Sequence, residues 1–566
     1  MRHILSVFKA VMPMTFVIAG TVVGAPSSLP PPNIGPASAS TPSSLNALGR
    51  ICKANAFQPY LPVNAKVESV YVVQTGGTAG EGPPDIAYPV NPTNLPEMCV
   101  VTVNVTSSPR SNYRFGLFLP TKWNHRFLAV GNGAFAGGIN WLDMGAGAQY
   151  GFAAMSTDTG HNSTAIDLTW ANQNPDRQQD FGFRSIHGSS TIAQSLVEHY
   201  YGQCASYSYY SGCSTGGRQG LKETSMYQTT FDGMLIGSAA WWASHLSPWT
   251  TKIGIYDLPF GGPNYVSPAM FPVIGAEVVR QCDAADGVID GIVSAPGACN
   301  FDFGPLSCSS PGADPSNCLT APQIQTVINI RSNYIADGKF AFPGLEKGSE
   351  FQWFISVGAP EPSPLGEDYI RYFLLNNASW QWEDYNDNLV WKADAQDPGN
   401  LTPGYDLSTF KSNGGKLLMY HGIGDGLVAT NSTLVYREKV AQTMTGGNEA
   451  SLNGWYRTFL VPGMGHCTGT SMNSPWYFAG GNQAGTLGTS TYSTPGFPDA
   501  QHDALLALIS WVENGNAPDS IVATTWNNPQ DPTSGVLRQR PLCPFPETAK
   551  LKPGKNETLA TSWVCS

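Results

Sequence analysis

The stretch that decides the fold is YSYYSGCSTGGRQGLKETSMY, residues 207–227. Its aromatic first third favours a strand through Tyr210, and the polar run from about Thr215 is typical of a helix. Between them, residues 212–216 match G-x-S-x-G, the pattern that holds a serine on a strained strand-to-helix turn. Ser214 is therefore a candidate nucleophile. A glycine-rich turn with a capping serine would give the same pattern.

Two later strands are each followed by a loop with a catalytic type of side chain. Asp425 lies in GKLLMYHGIGDGLV (415–428), and His466 lies in WYRTFLVPGMGHC (455–467). The chain order serine, acid, histidine is that of α/β-hydrolases. A serine hydroxyl needs a histidine base, and the histidine needs an acid that orients it and stabilises its cation. The pattern predicts a triad of Ser214, Asp425 and His466. Rival bases remain, namely His161, His187, His421 and His502, and Asp425 could be an ordinary turn residue.

Strands that alternate with helices set the fold class. The predicted strands end in glycine-rich or polar loops, and DALLALISWVENG (503–515) has the apolar spacing of a helix that ends at Gly515. This alternation predicts an α/β fold, an α/β-hydrolase core with a mostly parallel sheet covered on both faces. Its catalytic domain would comprise residues 46–240 and 411–566. Besides the strand before Ser214, the predicted strands are Phe127–Val130, Lys416–Tyr420 and Tyr456–Val461.

The middle of the chain, about 241–410, shows few strand-and-turn signals and is predicted to be one large inserted lid domain. It is rich in tryptophan, and four cysteines fall in a short stretch of it. Such tryptophans could contact a flat substrate or could simply form the lid's own core, so none is assigned as a ligand. They are Trp241, Trp242, Trp249, Trp353, Trp380, Trp382 and Trp391.

Composition narrows the class of protein. Of the 566 residues, 42% are hydrophobic and only 13% are charged, with 61 Gly and 44 Pro. These values exclude a coiled coil and a charged disordered chain. The net charge is −11. Because the chain is acidic and has no runs of Lys or Arg, nucleic acid and anionic membranes are poor candidates for partners. Oligomeric state is left open.

The N-terminus has the features of a signal peptide, predicted over residues 1–25. Basic residues precede an apolar stretch from Ala10 to about Val23, and Gly24 and Ala25 offer a cleavage site. The stretch is short for a membrane anchor, and Pro13 interrupts it. Residues 26–45 are rich in Pro, Ser and Ala, which predicts a flexible leader. The expected localisation is secreted, extracellular.

Cysteines and glycosylation sequons agree with export. Eleven cysteines in a secreted chain imply disulfides with one left over. Short loops favour Cys282–Cys299, Cys308–Cys318 and Cys543–Cys565. In addition, Cys213 directly precedes Ser214 and Cys467 directly follows His466, so a bridge between them would join the nucleophile to the base. Six sequons predict a glycoprotein: Asn104, Asn162, Asn377, Asn400, Asn431 and Asn556.

The nucleophile segment GCSTGGRQG, the glycine loop GNGAFAGG (131–138), GGKLLMYHG (414–422) and GMGHC (463–467) resemble the tannase and fungal feruloyl esterase family, whose hallmark is CS…D…HC. The resemblance runs from about Cys52 to Cys565. It implies the Ser214–Asp425–His466 triad and the Cys213–Cys467 bridge. It also implies that Cys52 pairs with Cys99. Cys204 is then the odd cysteine, expected as a buried thiol. No pair stands where the esterase branch often has an extra N-terminal disulfide.

The stretch CDAADGVIDGIV (282–293) crowds three carboxylates into one turn. Asp283, Asp286 and Asp290 would repel one another unless a cation lay among them, and oxygen ligands at this density suit Ca²⁺. An ordinary Asp-Gly turn fits the pattern equally well. The family resemblance implies a structural Ca²⁺, held by these side chains and by the carbonyls of Val288 and Ile292.

The expected chemistry is hydrolysis of a carboxylic ester through an acyl-enzyme. Backbone N–H groups of Thr215 and Gly133 are the expected oxyanion donors. An aromatic lid suits a planar acyl group. The resemblance favours a feruloyl esterase that acts on hydroxycinnamate esters of plant cell-wall polysaccharide. The alternatives are a tannase that releases gallate, a hydrolase of terephthalate monoesters and, more remotely, a non-catalytic binding protein with a hydrolase fold.

Overall fold

The computed structural model describes residues 51–566. The predicted signal peptide and leader lie outside these residues. The strands of the described part are β1 Ala65–Val73, β2 Met98–Ser108, β3 Ser111–Pro120, β4 Arg126–Val130, β5 Ala153–Thr157, β6 Tyr207–Cys213, β7 Gly233–Gly237, β8 Tyr334–Ala336, β9 Lys339–Phe342, β10 Lys416–Gly422, β11 Tyr456–Val461, β12 Ile521–Asn528, β13 Asp531–Leu542, β14 Ala549–Leu551 and β15 Trp563–Cys565.

A nine-stranded sheet runs through the molecule in the order β1-β2-β3-β5-β4-β6-β7-β10-β11. The strands from β5 to β11 in that order are parallel to their neighbours, and β1, β2 and β3 extend the sheet as an antiparallel edge. Three two-stranded sheets, β8–β9, β12–β13 and β14–β15, lie apart from it. The α/β fold with a mostly parallel sheet is therefore confirmed.

Helices cover both faces of this sheet. Their bounds are α1 Ala54–Phe57, α2 Trp141–Gln149, α3 Pro175–Gln179, α4 Ser185–Tyr201, α5 Thr215–Met226, α6 Ala243–Tyr256, α7 Phe271–Cys282, α8 Ala321–Arg331, α9 Pro364–Asp368, α10 Asn388–Gln396, α11 Ser408–Ser412, α12 Asn431–Thr445, α13 Gly481–Ala484 and α14 Ala504–Asn514. Short 3₁₀ and π segments connect them.

Side chains that point alternately to the two faces of the sheet divide the core into two layers. In β4, Phe127 and Ala129 join the cluster that packs on α4 and α5, whereas Leu128 and Val130 join the cluster on the opposite face with α2 and α14. Successive side chains of a strand point to opposite faces, so a fully buried strand must be apolar at every position. This is why β4 and β10 contain continuous apolar runs.

The predicted strands and helices lie close to where the sequence placed them. The Tyr456–Val461 strand has the predicted bounds, β10 continues two residues past Tyr420, and α14 ends with Gly515 as a left-handed cap at φ 74°. The hairpins at the C-terminal end, β12–β13 and β14–β15, had no counterpart in the sequence prediction.

The segment assigned to the lid lies between β7 and β10, which are neighbours in the sheet. Within it, only the short hairpin β8–β9 forms β-structure, and it stands apart from the central sheet. The chain thus leaves the sheet after Gly237 and returns at Lys416, and the long insertion does not interrupt the strand order.

Five disulfides have the expected pairings: Cys52–Cys99, Cys213–Cys467, Cys282–Cys299, Cys308–Cys318 and Cys543–Cys565. The expectation of a buried thiol at Cys204 is wrong, because this free cysteine is exposed. It lies in the turn between α4 and β6, after the left-handed cap Gly202, where the chain runs over the surface.

Across residues 51–566, no helix combines the length and apolar character that a membrane crossing requires.

Candidate active site

Ser214 occupies the turn between β6 and α5 in a strained backbone conformation, with φ 63° and ψ −124°. Its N–H donates to the carbonyl of Gly237, and its own carbonyl accepts from Arg218 and Ala240. Small neighbours are required, because a side chain at Gly212 would come within 2.7 Å of the backbone of Gly216. The turn therefore holds Ser214 rigidly at the carboxyl end of β6, at the start of a helix.

Asp425 and His466 meet at the carboxyl ends of β10 and β11. The Nδ1 atom of His466 lies 2.8 Å from Oδ2 of Asp425, and the Nε2 atom of His466 is buried without a hydrogen-bond partner among the described residues. Oδ1 of Asp425 accepts from the N–H groups of Leu427 and Val428. This pairing leaves Nε2 as the nitrogen available to a serine hydroxyl, the arrangement that a triad needs.

The Cys213–Cys467 disulfide links the residue before Ser214 to the residue after His466. It joins Cα atoms 6.0 Å apart across 254 positions of sequence. The two strand-end loops that carry the nucleophile and the base are therefore covalently held beside each other.

His421, one of the rival bases, instead contacts the acid. It is fully buried, with Nε2 3.0 Å from Oδ2 of Asp425 and 3.0 Å from the carbonyl of Val428, and Nδ1 2.7 Å from Oγ1 of Thr433. Burial by itself raises the pKa of Asp425, but the charge and hydrogen bonds of His466 and His421 outweigh it and hold this pKa well below its usual range. Asp425 is thus an ionised acceptor of hydrogen bonds from two histidines, whichever of them is charged.

The other three rival histidines are engaged elsewhere. His161 is buried, stacks on Trp170 and bonds to the carbonyl of Phe135, and burial lowers its pKa to about 4. His187 pairs with Glu223, and His502 pairs with Asp499. None of the three makes a hydrogen bond to Ser214 or Asp425 in the described structure, so His466, which pairs with Asp425, stays the predicted base.

Gln352, from the lid, connects the acid loop to the base loop. Its side-chain oxygen accepts from the N–H of Gly426 at 3.2 Å and from the N–H of His466 at 2.8 Å. The sequence contains no signal for this contact, because Gln352 lies in a 3₁₀ segment, Glu350–Ile355, far from either loop along the chain. The lid therefore supports the catalytic loops directly.

A pocket opens beside Ser214, between the sheet edge and the lid. Apolar side chains that precede the inserted segment 241–410, lie within it and follow it line the pocket, together with the buried Arg218 and the hydroxyls of Ser247 and Thr250 on α6. Its full lining is Ala134, Phe135, Phe181, Ser214, Thr215, Arg218, Ala240, Ala243, Leu246, Ser247, Thr250, Leu365, Leu401, Leu427 and Val428. No carboxylate is among these residues, so the pocket suits a largely apolar acyl group.

The two expected oxyanion donors are placed differently. Thr215 lines the pocket next to Ser214. The N–H of Gly133 donates to the hydroxyl of Tyr88 at 2.8 Å, and Gly133 is not part of the lining, so its role as an oxyanion donor stays a prediction that this geometry does not support. Its neighbour Ala134, at φ 44°, lines the pocket together with Phe135 of the same loop.

The lid tryptophans do not form the pocket. Trp241, Trp249 and Trp353 are fully buried in the hydrophobic core, and none of the seven lines the pocket. The aromatic rings that do line it, Phe135 and Phe181, precede the inserted segment in the chain. The tryptophan content therefore reflects the packing of the insertion, and no sequence pattern singles out the two phenylalanines.

The three aspartates of the predicted calcium loop are engaged in other bonds. Asp283 accepts from the N–H groups of residues 290–292, Asp286 accepts from Val288, and Asp290 pairs with Arg540. Among residues 51–566 no group of three acidic, His or Cys side chains is placed to hold a metal. The side chains have the oxygen chemistry that Ca²⁺ prefers, but they do not converge, so calcium stays a prediction.

Comparison with known proteins agrees with this geometry. The family model "Tannase and feruloyl esterase" matches residues 99–359 and 375–566. A probable feruloyl esterase B-2 of Aspergillus terreus is 34% identical over 83% of this chain and 86% of its own length, and a probable feruloyl esterase B-1 of Aspergillus fumigatus is 32% identical over 89% and 91%. The crystal structure of feruloyl esterase B from Aspergillus oryzae superposes with a TM-score of 0.82 at 30% identity, covering 91% of this chain and 99% of that one. Tannin acyl hydrolase from Aspergillus niger, at 22% identity and a TM-score of 0.71, shares the fold.

Proposed function

Because the chain belongs to the tannase and feruloyl esterase family and is a carboxylic ester hydrolase, we propose that its substrates are hydroxycinnamate esters, such as feruloyl esters of plant cell-wall polysaccharide. The observation that carries this proposal is the pocket beside Ser214. It offers two phenylalanine rings and aliphatic side chains, which suit a flat propenoyl-linked ring. Its few polar groups match the sparse hydrogen-bonding needs of a ring with one hydroxyl and one methoxy group.

The pocket is less suited to gallate. A galloyl ring has three adjacent hydroxyls, each of which needs an acceptor when it is buried. The lining has no carboxylate, and its uncharged polar side chains besides Ser214 and Thr215 are only Ser247 and Thr250. A trihydroxylated ring would leave donors unpaired there, which costs affinity. The pocket lining therefore favours hydroxycinnamates over gallate as the acyl group.

The chemistry follows from the three catalytic side chains. The hydroxyl of Ser214 attacks the ester carbonyl while Nε2 of His466 accepts its proton, and Asp425 stabilises the resulting imidazolium. The imidazolium then gives its proton to the leaving alcohol, which leaves an acyl-enzyme on Ser214. Water, deprotonated by His466, attacks this ester and releases the acid. The N–H groups of Thr215 and Ala134 are the proposed donors to the oxyanion.

The test is a panel of methyl ferulate, caffeate, p-coumarate, sinapate and gallate, followed by release of the free acid. We expect kcat/KM for a hydroxycinnamate to exceed that for gallate at least about tenfold, since one or two unpaired hydroxyls cost that much. A preference for gallate would overturn the proposal in favour of a tannase. No turnover of any ester would overturn the hydrolase mechanism itself. Release of ferulate from a feruloylated arabinoxylan fragment tests the polysaccharide context.

Export and glycosylation are part of the same proposal. Five disulfides stabilise the described residues, and the Asn377 and Asn556 sequons lie in exposed turns. An oxidising compartment supports both features. Expression of the full chain in a secreting fungal host should yield extracellular protein that starts near residue 26 and loses mass on treatment with an N-glycosidase. Retention of residues 1–25 in the product would count against the signal peptide.

Calcium is proposed as a structural ion at Asp283, Asp286 and Asp290. The support is the donor set, three carboxylates with the carbonyls of Val288 and Ile292 close by in sequence. Occupancy requires the carboxylates to rotate towards a common point and the carboxylate of Asp290 to bind both the ion and Arg540. The ion would stabilise this loop, which contacts Arg538 and Arg540 of β13. It would take no part in the chemistry.

A further inference from the structure

His421 contacts the catalytic acid in a way that the triad mechanism does not require. It lies at the end of β10, four residues before Asp425, and its ring is fully buried. Nε2 faces two oxygens, Oδ2 of Asp425 and the carbonyl of Val428, each at 3.0 Å. Neither oxygen can donate a hydrogen. Nε2 must therefore carry the proton and donate it towards Asp425.

The other side of the ring is equally constrained. Nδ1 lies 2.7 Å from Oγ1 of Thr433, near the start of α12. With Nε2 protonated, a neutral ring accepts the hydroxyl proton of Thr433 at Nδ1, and both nitrogens are satisfied. This leaves His421 no means of acting as the base for Ser214, in spite of its position in the sequence beside the acid.

The two histidines share one carboxylate oxygen. Oδ2 of Asp425 accepts from His466 at 2.8 Å and from His421 at 3.0 Å. A second donor on that oxygen withdraws charge from it and fixes the carboxylate plane. Both effects act on His466, because the basicity of its ring depends on how strongly Oδ2 attracts the Nδ1 proton.

We propose that His421 is a positioning residue, which sets the orientation and the basicity of Asp425 and, through it, the pH range over which His466 works as a base. The inference rests on the proposed triad. Loss of the His421 donor leaves more charge on Oδ2, which favours the imidazolium form of His466. In the pH profile of kcat/KM, the acid limb, where activity rises as His466 loses its proton, then moves to higher pH.

Other charged groups near this site are paired elsewhere. The lid segment that packs on the acid loop carries Glu346, bonded to Asn431, and Glu350, paired with Arg331. On α12, Arg437 pairs with Glu449. None of these makes an ion pair with Asp425, His421 or His466 within residues 51–566, so the two histidines are the titratable groups that face the acid.

The experiment compares His421→Leu with His421→Gln. Leucine keeps the volume and removes the donor, whereas the glutamine amide nitrogen can reach the place of Nε2 and donate to Asp425. We expect the acid limb of kcat/KM for the preferred ester of the panel to rise by about one pH unit in His421→Leu, with a plateau about tenfold lower. His421→Gln should restore most of both.

His187→Leu is the matched control, since it removes a histidine that bonds to a carboxylate, Glu223, away from the triad. Its acid limb should stay at the wild-type pH. An unshifted limb in His421→Leu, or an equal shift in His421→Gln, would overturn the proposal and leave His421 as a core residue.

If His421→Leu does not fold, Thr433→Val is the variant that tests the proposal. It removes the hydroxyl that holds Nδ1, so a smaller upward shift is expected, and an unshifted limb overturns the proposal. Failure here is distinct from failure of the proposed function. An enzyme that turns over the ester with an unshifted limb refutes only the role of His421, whereas absence of turnover in the wild type refutes the triad.

Discussion

At the scale of single residues, the catalytic geometry depends on backbone strain at Ser214. A non-glycine residue at φ 63° and ψ −124° costs about 1–3 kcal/mol, which the surrounding structure must offset. Three backbone hydrogen bonds to Gly237, Arg218 and Ala240 hold the residue there. These bonds do not involve the serine hydroxyl, so the side chain can be changed without releasing the turn.

Ser214→Ala should therefore abolish turnover and leave the melting temperature close to that of the wild type. Asp425→Asn should lower kcat by orders of magnitude, because the imidazole loses the acceptor that orients it. Steady-state kinetics and thermal unfolding of both variants measure the two effects. Ser309→Ala, at an exposed serine of the lid, is the control. Normal activity in Ser214→Ala would refute the assignment of the nucleophile.

The burial of Asp158 makes the stability of the protein depend on pH. It is buried after β5, and although Arg114 and Gly160 donate backbone N–H groups to it, burial raises its pKa to about 7. The native protein thus keeps this proton at pH values where the unfolded chain, with a pKa of 3.8, has lost it. The native state binds more protons in that window, so this group's contribution to stability is lost as pH rises from about 4 to 7.

Asp158→Asn should accordingly gain stability relative to the wild type as pH rises from 5 to 8, by on the order of 1–4 kcal/mol. Asparagine keeps an oxygen for both N–H groups and cannot ionise. Urea unfolding of both proteins at each pH gives the difference, and other titrating groups cancel in it. A difference that does not change with pH would show that Asp158 is already ionised in the native protein.

At the scale of elements, the active site is made by the ends of parallel strands. β6, β10 and β11 are parallel strands of one sheet, with β7 between β6 and β10, and each is followed by one residue of the proposed triad. Side chains of helix α5, which starts directly after Ser214, bond to two chain segments that line the pocket. Arg218 donates to the carbonyls of Phe181 and Gly182, and Lys222 bonds to Asn400 and Thr402 on the returning lid segment. The helix that starts at the nucleophile thereby holds the chain that closes the pocket.

The loop of three aspartates is the element whose stability should depend on a metal ion. Chelation with EGTA should lower the melting temperature of the wild type and have little further effect on Asp286→Ala, and kcat of the remaining folded enzyme should change little. Asp314→Ala removes an exposed aspartate from another lid turn and should keep the chelator response. Elemental analysis that finds no calcium, together with an unchanged melting temperature in EGTA, would refute the site.

At the scale of the whole molecule, distant segments are joined at the catalytic centre. Cys213–Cys467 spans 254 positions, and Gln352 of the lid bonds to both the acid and the base loops. In the chain-entropy model, a loop of that length is worth at most about 5–6 kcal/mol. Positioning matters as well, because a displacement of about 1 Å can cost about 100-fold in rate.

Cys213→Ala with Cys467→Ala should therefore lower kcat even at temperatures where the protein stays folded. Cys543→Ala with Cys565→Ala is the comparison. That bridge joins the C-terminal residues to the end of β13, away from the triad, and its loss should mainly lower the melting temperature. Measurement of kcat and unfolding for both double variants decides between the two roles. Equal losses of stability with unchanged kcat in both would make the catalytic bridge an ordinary stabilising crosslink.

The sequence by itself determined the features that are local or ordered along the chain. Apolar runs predicted β4, β10 and β11, the G-x-S-x-G turn predicted the β6–α5 junction, and cysteine positions with the family resemblance predicted all five disulfides. These features depend on neighbouring residues, on spacing or on motif order, so they can be recognised from the amino-acid sequence alone.

Only the tertiary structure decided which side chains share the active site. Only the tertiary contacts show that His421 bonds to Asp425, that the N–H of Gly133 donates to Tyr88, and that Gln352 bonds to the loops of both Asp425 and His466. Such contacts join residues that are distant in sequence. Which residues pair depends on how the insertion packs against the sheet, because donors and acceptors that become buried there must form hydrogen bonds. No local sequence pattern specifies those pairs.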